Sequence, residues 1–325
     1  MSGKQVNKKV DLYEYSDRIE GKSYLNWNTF RNFINSLEYS KIDSSTKNLS
    51  IIFMIDRFTL LNLDGLIWLL LIGNRFRSKG HVLTLALPKD KEQLAYIKNL
   101  DFQILANNLF EINPSYLDNI EKSGPSSAIK EVDSNSLDTF VKFIDGYLGK
   151  ILTQSGAGGI SNIGPIADLG RKRYYKSLVE LSKNVVEHSG KEAKRGQGYA
   201  GIALSGKKIN LCVVDNGIGF LSSLKNKEVD VKNDGEAIKE AFKYSYNNRE
   251  ALKGIGIFTV VKLIGEIGGN IRIRSGVKET QLRIMKDTAT DEKINKLIEE
   301  MKFSTLKHNF PGVQYDILFN RPLPR

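Results

Sequence analysis

Apolar residues recur along this chain at two spacings, and the spacings divide it into elements. Between Tyr24 and Leu37 they fall at Leu25, Phe30, Phe33, Ile34 and Leu37, the period of a helix with one buried face. Leu49 to Ile55 is an unbroken apolar run, the mark of a buried strand. Asp64 to Phe76 reads as a helix with its aspartate near the positive N-terminal end, and Gly80 ends it. His81 to Leu87 reads as a second strand, stopped by Pro88, and Lys89 to Leu100 as a further helix. Strand, helix, strand, helix in so short a span predicts an α/β unit. The polar first 20 or so residues read as a frayed or pairing arm.

Residues 121–136 are rich in Ser, Pro, Gly, Asn and Asp and read as a linker. Leu137 to Leu152 has helical spacing, 156–164 is rich in glycine, and 166–187 reads as one long helix or a broken pair. Tyr199 to Leu204 and Ile209 to Val214 read as paired strands. Gly235 to Tyr244 and Ile257 to Ile267 read as helices; Ile271 to Ser275, Gln281 to Met285 and Tyr315 to Phe319 read as strands. The charged stretch 286–308 interrupts the last two strands and reads as helical. Helix pairs alternating with antiparallel strands predict a two-layer α/β sandwich.

Composition changes this picture little. At 325 residues the chain has room for two ordinary domains. Its 41% hydrophobic and 26% charged residues are those of a globular protein. The net charge of +11 is high, but no block of five or more basic residues occurs. A solvated basic surface accounts for it better than nucleic-acid or membrane binding. The one cysteine, Cys212, rules out an intrachain disulfide framework and sits in an apolar run. There is no signal-peptide pattern, and the apolar stretch Leu60 to Ile72 contains Asn62 and Asp64 and is too short to span a bilayer. A cytoplasmic protein is expected.

Three segments carry candidate chemistry. In the first, Glu180, Asn184 and His188 stand four apart and share a helix face. An amide oxygen at Asn184 suits Mg²⁺ held together with phosphates, and Glu180 one turn earlier suits a base for water or a hydroxyl. The same spacing also describes an ordinary solvated face. In the second, Asp215 ends an apolar strand and is followed by Asn216-Gly217-Ile218-Gly219-Phe220, a turn that brings backbone close to a ligand. A carboxylate there can accept from the exocyclic amine of adenine, although Asp-Asn-Gly is equally a hairpin turn. In the third, Lys253-Gly254-Ile255-Gly256 opens an apolar helix, whose free N–H groups make an anion site. Lys253 and Arg249 add positive charge near it, or are plain surface residues. Neither a Walker A loop nor a dinucleotide fingerprint is present.

The order and spacing of the three segments resemble the GHKL ATPase superfamily: DNA gyrase B subunits, MutL repair proteins, ninety-kilodalton heat-shock chaperones, sensor histidine kinases and anti-sigma-factor serine kinases. The resemblance covers about 165–285 plus the strand near 312–320. It implies a C-terminal two-layer α/β sandwich of the Bergerat type that binds ATP and Mg²⁺. In it Asn184 would hold the metal and Glu180 would act as catalytic base. Asp215, Gly217 and Gly219 would form the adenine side, with Phe220 lining the pocket, and Lys253, Gly254, Ile255 and Gly256 the phosphate side. Residues 221–253 would be a mobile lid, and Gly268-Gly269 before a strand is also typical of the family. A phosphoacceptor histidine is not evident at His81, His188 or His308, so a histidine autokinase is not expected. The tail Asn184 to Gly190 most resembles the anti-sigma serine kinases.

The region from Phe58 to Leu85 is similar to STAS domains, the fold of anti-sigma-factor antagonists. Their phosphorylated serine segment corresponds here to Asn62-Leu63-Asp64-Gly65-Leu66, without serine and with a permanent negative charge at Asp64. The expected organisation is a STAS-like α/β domain over 1–120, a linker with a helix over 121–160, and a GHKL domain over 161–325. The expected function is a regulatory Mg-ATP-binding protein with slow ATPase activity, coupling nucleotide state to protein association through the lid. Alternatives are a serine/threonine kinase acting on a STAS-like partner, or a scaffold with a vestigial ATP site. Expected partners are ATP and a second protein, STAS-like or a further copy of the chain.

Overall fold

The structure, a computed structural model, describes residues 6–45, 48–113, 117, 120–121, 128–132, 139, 142–143, 179, 181–182, 184, 198–205, 208–247 and 256–320. The fold is mixed α/β, in two compact units: Met1–Ile129 with Leu306–His308, and Lys130–Thr305 with Asn309–Arg325. Among the described residues no helix is long and apolar enough to cross a membrane.

The first unit holds β1 (Val6–Asp11), β2 (Asp17–Ile19), β3 (Lys22–Leu25), β4 (Leu49–Met54), β5 (Leu60–Leu61) and β6 (Val82–Ala86). A parallel sheet runs β1-β4-β6, and a smaller one runs β2-β3-β5. The stretch expected as a polar arm therefore contributes an edge strand: only one face of such a strand must be apolar, and Val10 supplies it, fully buried. The single helix expected over Tyr24 to Leu37 is strand β3 followed by two helices, Trp27–Ile34 and Leu37–Asp43. Side-chain chemistry sets both starts. Asn26 accepts from Thr29 N while Thr29 Oγ1 accepts from Asn26 N, a capping box, and Ser36 accepts from Tyr39 N.

The helix Leu63–Ser78 is the centre of this unit, with Leu66 to Ile72 all buried. Asp64 in its first turn is only 5% exposed, and its carboxylate accepts from Trp27 N at 2.6 Å. Next to it a Cβ on Gly65 would stand 2.2 Å from Leu25 O, so only glycine lets the helix lie against β3. The negative charge read at Asp64 is turned inward, at the start of the Trp27–Ile34 helix, where a carboxylate complements the free N–H groups.

The second unit is built on a five-stranded sheet of order β10-β11-β9-β8-β7, with β7 (Ala128–Val132), β8 (Gly198–Ser205), β9 (Lys208–Asp215), β10 (Gly269–Ile284) and β11 (Ser304–Asn320). Strands β8, β9, β11 and β10 pair antiparallel in that order. Strand β7 lies inside the segment expected to be a linker. Its five residues are short enough to be hidden between turn-rich neighbours, and Val132 is fully buried. Of the helix expected over 137–152 only 139, 142 and 143 are described, all three helical; the rest of it, the glycine-rich stretch 156–164 and most of 166–187 lie outside the described residues.

Alternation along the strands places Ala200, Ile202, Leu211, Val213, Ile271, Ile273, Tyr315 and Ile317 on one sheet face. That face packs against Ile238 and Phe242 of the helix Asp234–Asn247 and against Ile257, Phe258, Val261 and Ile264 of the helix Gly256–Ile267. Cys212 is buried on the other face, opposite Asp316 in the register. The two strands expected over 271–275 and 281–285 are limbs of the one element β10. Arg272 Nη2 reaches Gln281 Oε1 at 3.1 Å although they are nine residues apart, whereas nine residues of straight strand would span about 30 Å. The chain doubles back at Gly276, whose φ of +60° favours glycine. The charged stretch after β10 contains the helix Asp291–Glu299, capped by Thr290, and its last residues already belong to β11.

Candidate functional site

Register fixes which residues share an edge of the sheet. Ser275 pairs with Val313, and Gln314 with Val214, so Asp215, Val313 and Ser275 stand at one edge. Gly269, Phe319 and Ile209 are aligned at the opposite edge. The helix Gly256–Ile267 passes into β10 through the single residue Gly268, at φ +81°. Twelve helical residues rise about 18 Å, and the strand from Gly269 to Ser275 rises about 20 Å. The two lengths match, as suits a helix that runs back along the strand it precedes.

Asp215 ends β9 and is 3% exposed. Its Oδ1 accepts from Gly217 N at 2.7 Å and its Oδ2 from Val313 N at 3.1 Å. Gln314 holds the main chain there, its Nε2 donating to Asp215 O at 3.2 Å and to Pro311 O at 2.9 Å. Each carboxylate oxygen has room for a second donor, so the group keeps acceptor capacity. Burial raises its pKa from the ordinary 3.8 to about 7, against the lowering effect of the two backbone donors. Tyr315, buried beside it, has its phenol pushed well up, first by burial and then by the Asp215 charge.

This sets a pH dependence of stability. Above about pH 4 the unfolded chain has released the Asp215 proton, while the folded chain holds it until about pH 7. Stability contributed by this group thus falls as pH rises through that window, by an amount on the order of 4 kcal/mol. The urea midpoint of the wild type is expected to fall relative to that of Asp215→Asn between pH 5 and pH 8; a difference that stays constant contradicts the buried, proton-holding carboxyl.

Gly219 has φ +73°, and a Cβ on it would stand 3.0 Å from Ser275 Oγ. Phe220 N donates to Ser275 Oγ at 2.9 Å, and the Phe220 ring meets Tyr315 edge-on at 6.3 Å between centroids. Gly217, Gly219 and Phe220 thus gather with Asp215 at one edge. Asn184 is half-buried and helical. Leu181, three residues earlier on the same side of the helix, enters the core that contains Val213 and Tyr315. Gly256 opens the helix Gly256–Ile267, which packs on this sheet. Glu180, Lys253, Gly254 and Ile255, with His188 and Arg249, lie outside the described residues. The described part of the expected lid segment holds most of the helix Gly219–Lys225 and the helix Asp234–Asn247, with a loop between them.

Sequence reasoning did not find Ser275, Gly312, Val313 or Gln314. Pro311-Gly312 before a strand is a turn signal that could have drawn attention to the last three; nothing local marks Ser275. Among the described residues no group of three or more His, Cys, Asp or Glu is arranged to hold a metal. No protein-family model matches this sequence, and no curated protein or solved structure matches it.

Proposed function

We propose that the second unit binds Mg-ATP in the manner of GHKL domains and that the first is a STAS-like regulatory module, so that nucleotide state is coupled to protein association. The observation that carries this reading is Asp215: a buried carboxylate at the end of a strand, held in place by backbone donors and still able to accept. The helix layer on one face of an antiparallel sheet supports it further.

Asp215 would accept from the adenine amine. The free N–H groups at the start of the Gly256–Ile267 helix would receive phosphate oxygens. A metal at Asn184 has one amide oxygen from the protein, a set that suits Mg²⁺ shared with phosphates rather than a metal caged by protein. Mg-ATP supplies the phosphoryl group and the charge neutralisation of its transfer. Glu180 would draw a proton from water, giving slow hydrolysis.

Glu180→Ala tests the base. A positioned general base contributes roughly 100-fold or more, so the variant is expected to hydrolyse ATP about 100-fold more slowly with ATP affinity little changed. Hydrolysis at the wild-type rate, followed by release of labelled phosphate, removes Glu180 from the role.

A further inference from the structure

The parallel sheet of the first unit has one covered face and one open face. Its side chains alternate, so Val10, Ile51, Phe53, Leu83 and Leu85 point to one side, where all are buried. Three helices pack on that side. Phe53 meets Phe33 of the helix Trp27–Ile34 and Phe76 of the helix Leu63–Ser78, and Lys8 reaches Glu38 of the helix Leu37–Asp43 at 3.7 Å. The other side carries Ser50, Ile52, Met54, Val82, Thr84 and Ala86, and each of them keeps partial exposure. Purely parallel sheets are ordinarily covered on both faces. Among the described residues no element buries this one.

One row of residues crosses the open face from edge to edge. Lys9 pairs with Ile52, and Ile52 with Thr84. Glu111 extends the row beyond β6, opposite Thr84: its N donates to Leu83 O at 2.7 Å, and its O accepts from Leu85 N at 3.0 Å. Residues paired across neighbouring strands point to the same side of a sheet. The row therefore reads Lys9, Ile52, Thr84, Glu111, with a base at one end and an acid at the other. Both ends are exposed, and neither forms an ion pair among the described residues. A surface cleft of about 610 Å³ opens beside the acidic end, lined by Thr84, Phe110, Glu111 and Ile112 among others.

We propose that this face is the contact surface for a second copy of the chain, in a symmetric dimer that stacks sheet on sheet. The charges choose between the two ways of turning one copy onto the other. A two-fold axis along the strands sets Lys9 of each copy over Glu111 of the other, at the same level because the two residues share a row. An axis across the strands brings the two basic edges together and the two acidic edges together, which repels. In the first arrangement Ile52, Met54, Val82 and Ala86 of both copies close on one another. Each Lys9 lays its apolar stem along the cleft and its ammonium at Glu111. Stacked sheets lie about 10 Å apart, within the combined reach of a lysine and a glutamate. The face measures about 19 Å by 18 Å, small for an interface, so the dimer is reversible. It needs no nucleotide and stands independently of the ATP reading.

Sedimentation velocity on the full chain without nucleotide, at concentrations up to hundreds of micromolar, tests the surface. Wild type is expected to pass from monomer to dimer as concentration rises, and to need more protein at high salt, which screens exposed pairs. Lys9→Glu and Glu111→Lys should each weaken the dimer about tenfold, because both ion pairs of the dimer turn repulsive. The two substitutions together restore opposite charges and should return the dimer to wild-type strength. Ile52→Asp should leave a monomer, with far-UV circular dichroism like that of wild type; the charge exchanges, at exposed positions, carry the test if that variant does not fold. A wild type that stays monomeric throughout overturns the proposal. So does a dimer that ignores a folded Ile52→Asp or the single exchanges, or a double exchange as weak as the single ones.

Discussion

Asp215→Asn is expected to weaken ATP binding by about 100-fold while leaving the fold in place. The carboxylate offers two oxygens, each taking one backbone N–H and each able to take a further donor. Asparagine keeps the shape but has one oxygen, and turns an NH₂ group toward either Gly217 N or Val313 N. A charge-assisted hydrogen bond is worth about 1.5–3 kcal/mol, and replacing an acceptor by a donor opposite the adenine amine adds to that loss. A companion effect appears in the wild type. The ionised carboxyl accepts from an amine more strongly than the protonated one, which has turned part of its acceptor capacity into a donor, so affinity falls as pH drops below about 7, by up to roughly tenfold per pH unit. The variant should lack this dependence. Nucleotide titrations of both proteins at pH 6 and 8 measure all of it, and equal affinities in the two proteins contradict the assignment.

Gly312→Ala is expected to cost the second unit about 3 kcal/mol and to abolish the site with it. The residue sits at φ +82°, and a Cβ there would lie 2.0 Å from Asp215 O and 2.4 Å from Asp215 Oδ1. These are backbone and buried carboxylate atoms, which no rotamer change can move aside. Relief requires shifting the start of the β11 limb that carries Val313 and Gln314, and that shift breaks the contacts holding Asp215. Urea unfolding should show a lowered midpoint for the transition of this unit. A variant as stable as wild type would mean that Gly312 and Asp215 are not packed this tightly.

The parts legible in the sequence are those set by neighbours in the chain. The helix Gly256–Ile267 shows its period in Ile257, Val260, Val261 and Ile264, all of them buried. Asp215 stands out because an apolar strand ends on an acid before a glycine turn. What surrounds it comes from far away: Val313 is 98 residues distant and Gln314 is 99, and no local pattern announces either contact. Strand β7 was missed for a related reason, since five residues between turn-formers acquire a strand partner only in three dimensions. Asp64 is legible as an acid at a helix start, but the direction of its carboxylate is decided by Trp27 N, 37 residues earlier, toward which it is buried. The capping residues Asn26, which parts β3 from the first helix, and Ser36, which parts the first helix from the second, were legible locally; helical apolar spacing across them masked the breaks.

Calorimetric titration of ATP into the full chain, with Mg²⁺ present and with it removed, tests the central claim most directly. The account predicts saturable binding of one ATP per chain, stronger with Mg²⁺ than without. No heat of binding at millimolar ATP in either condition would contradict it.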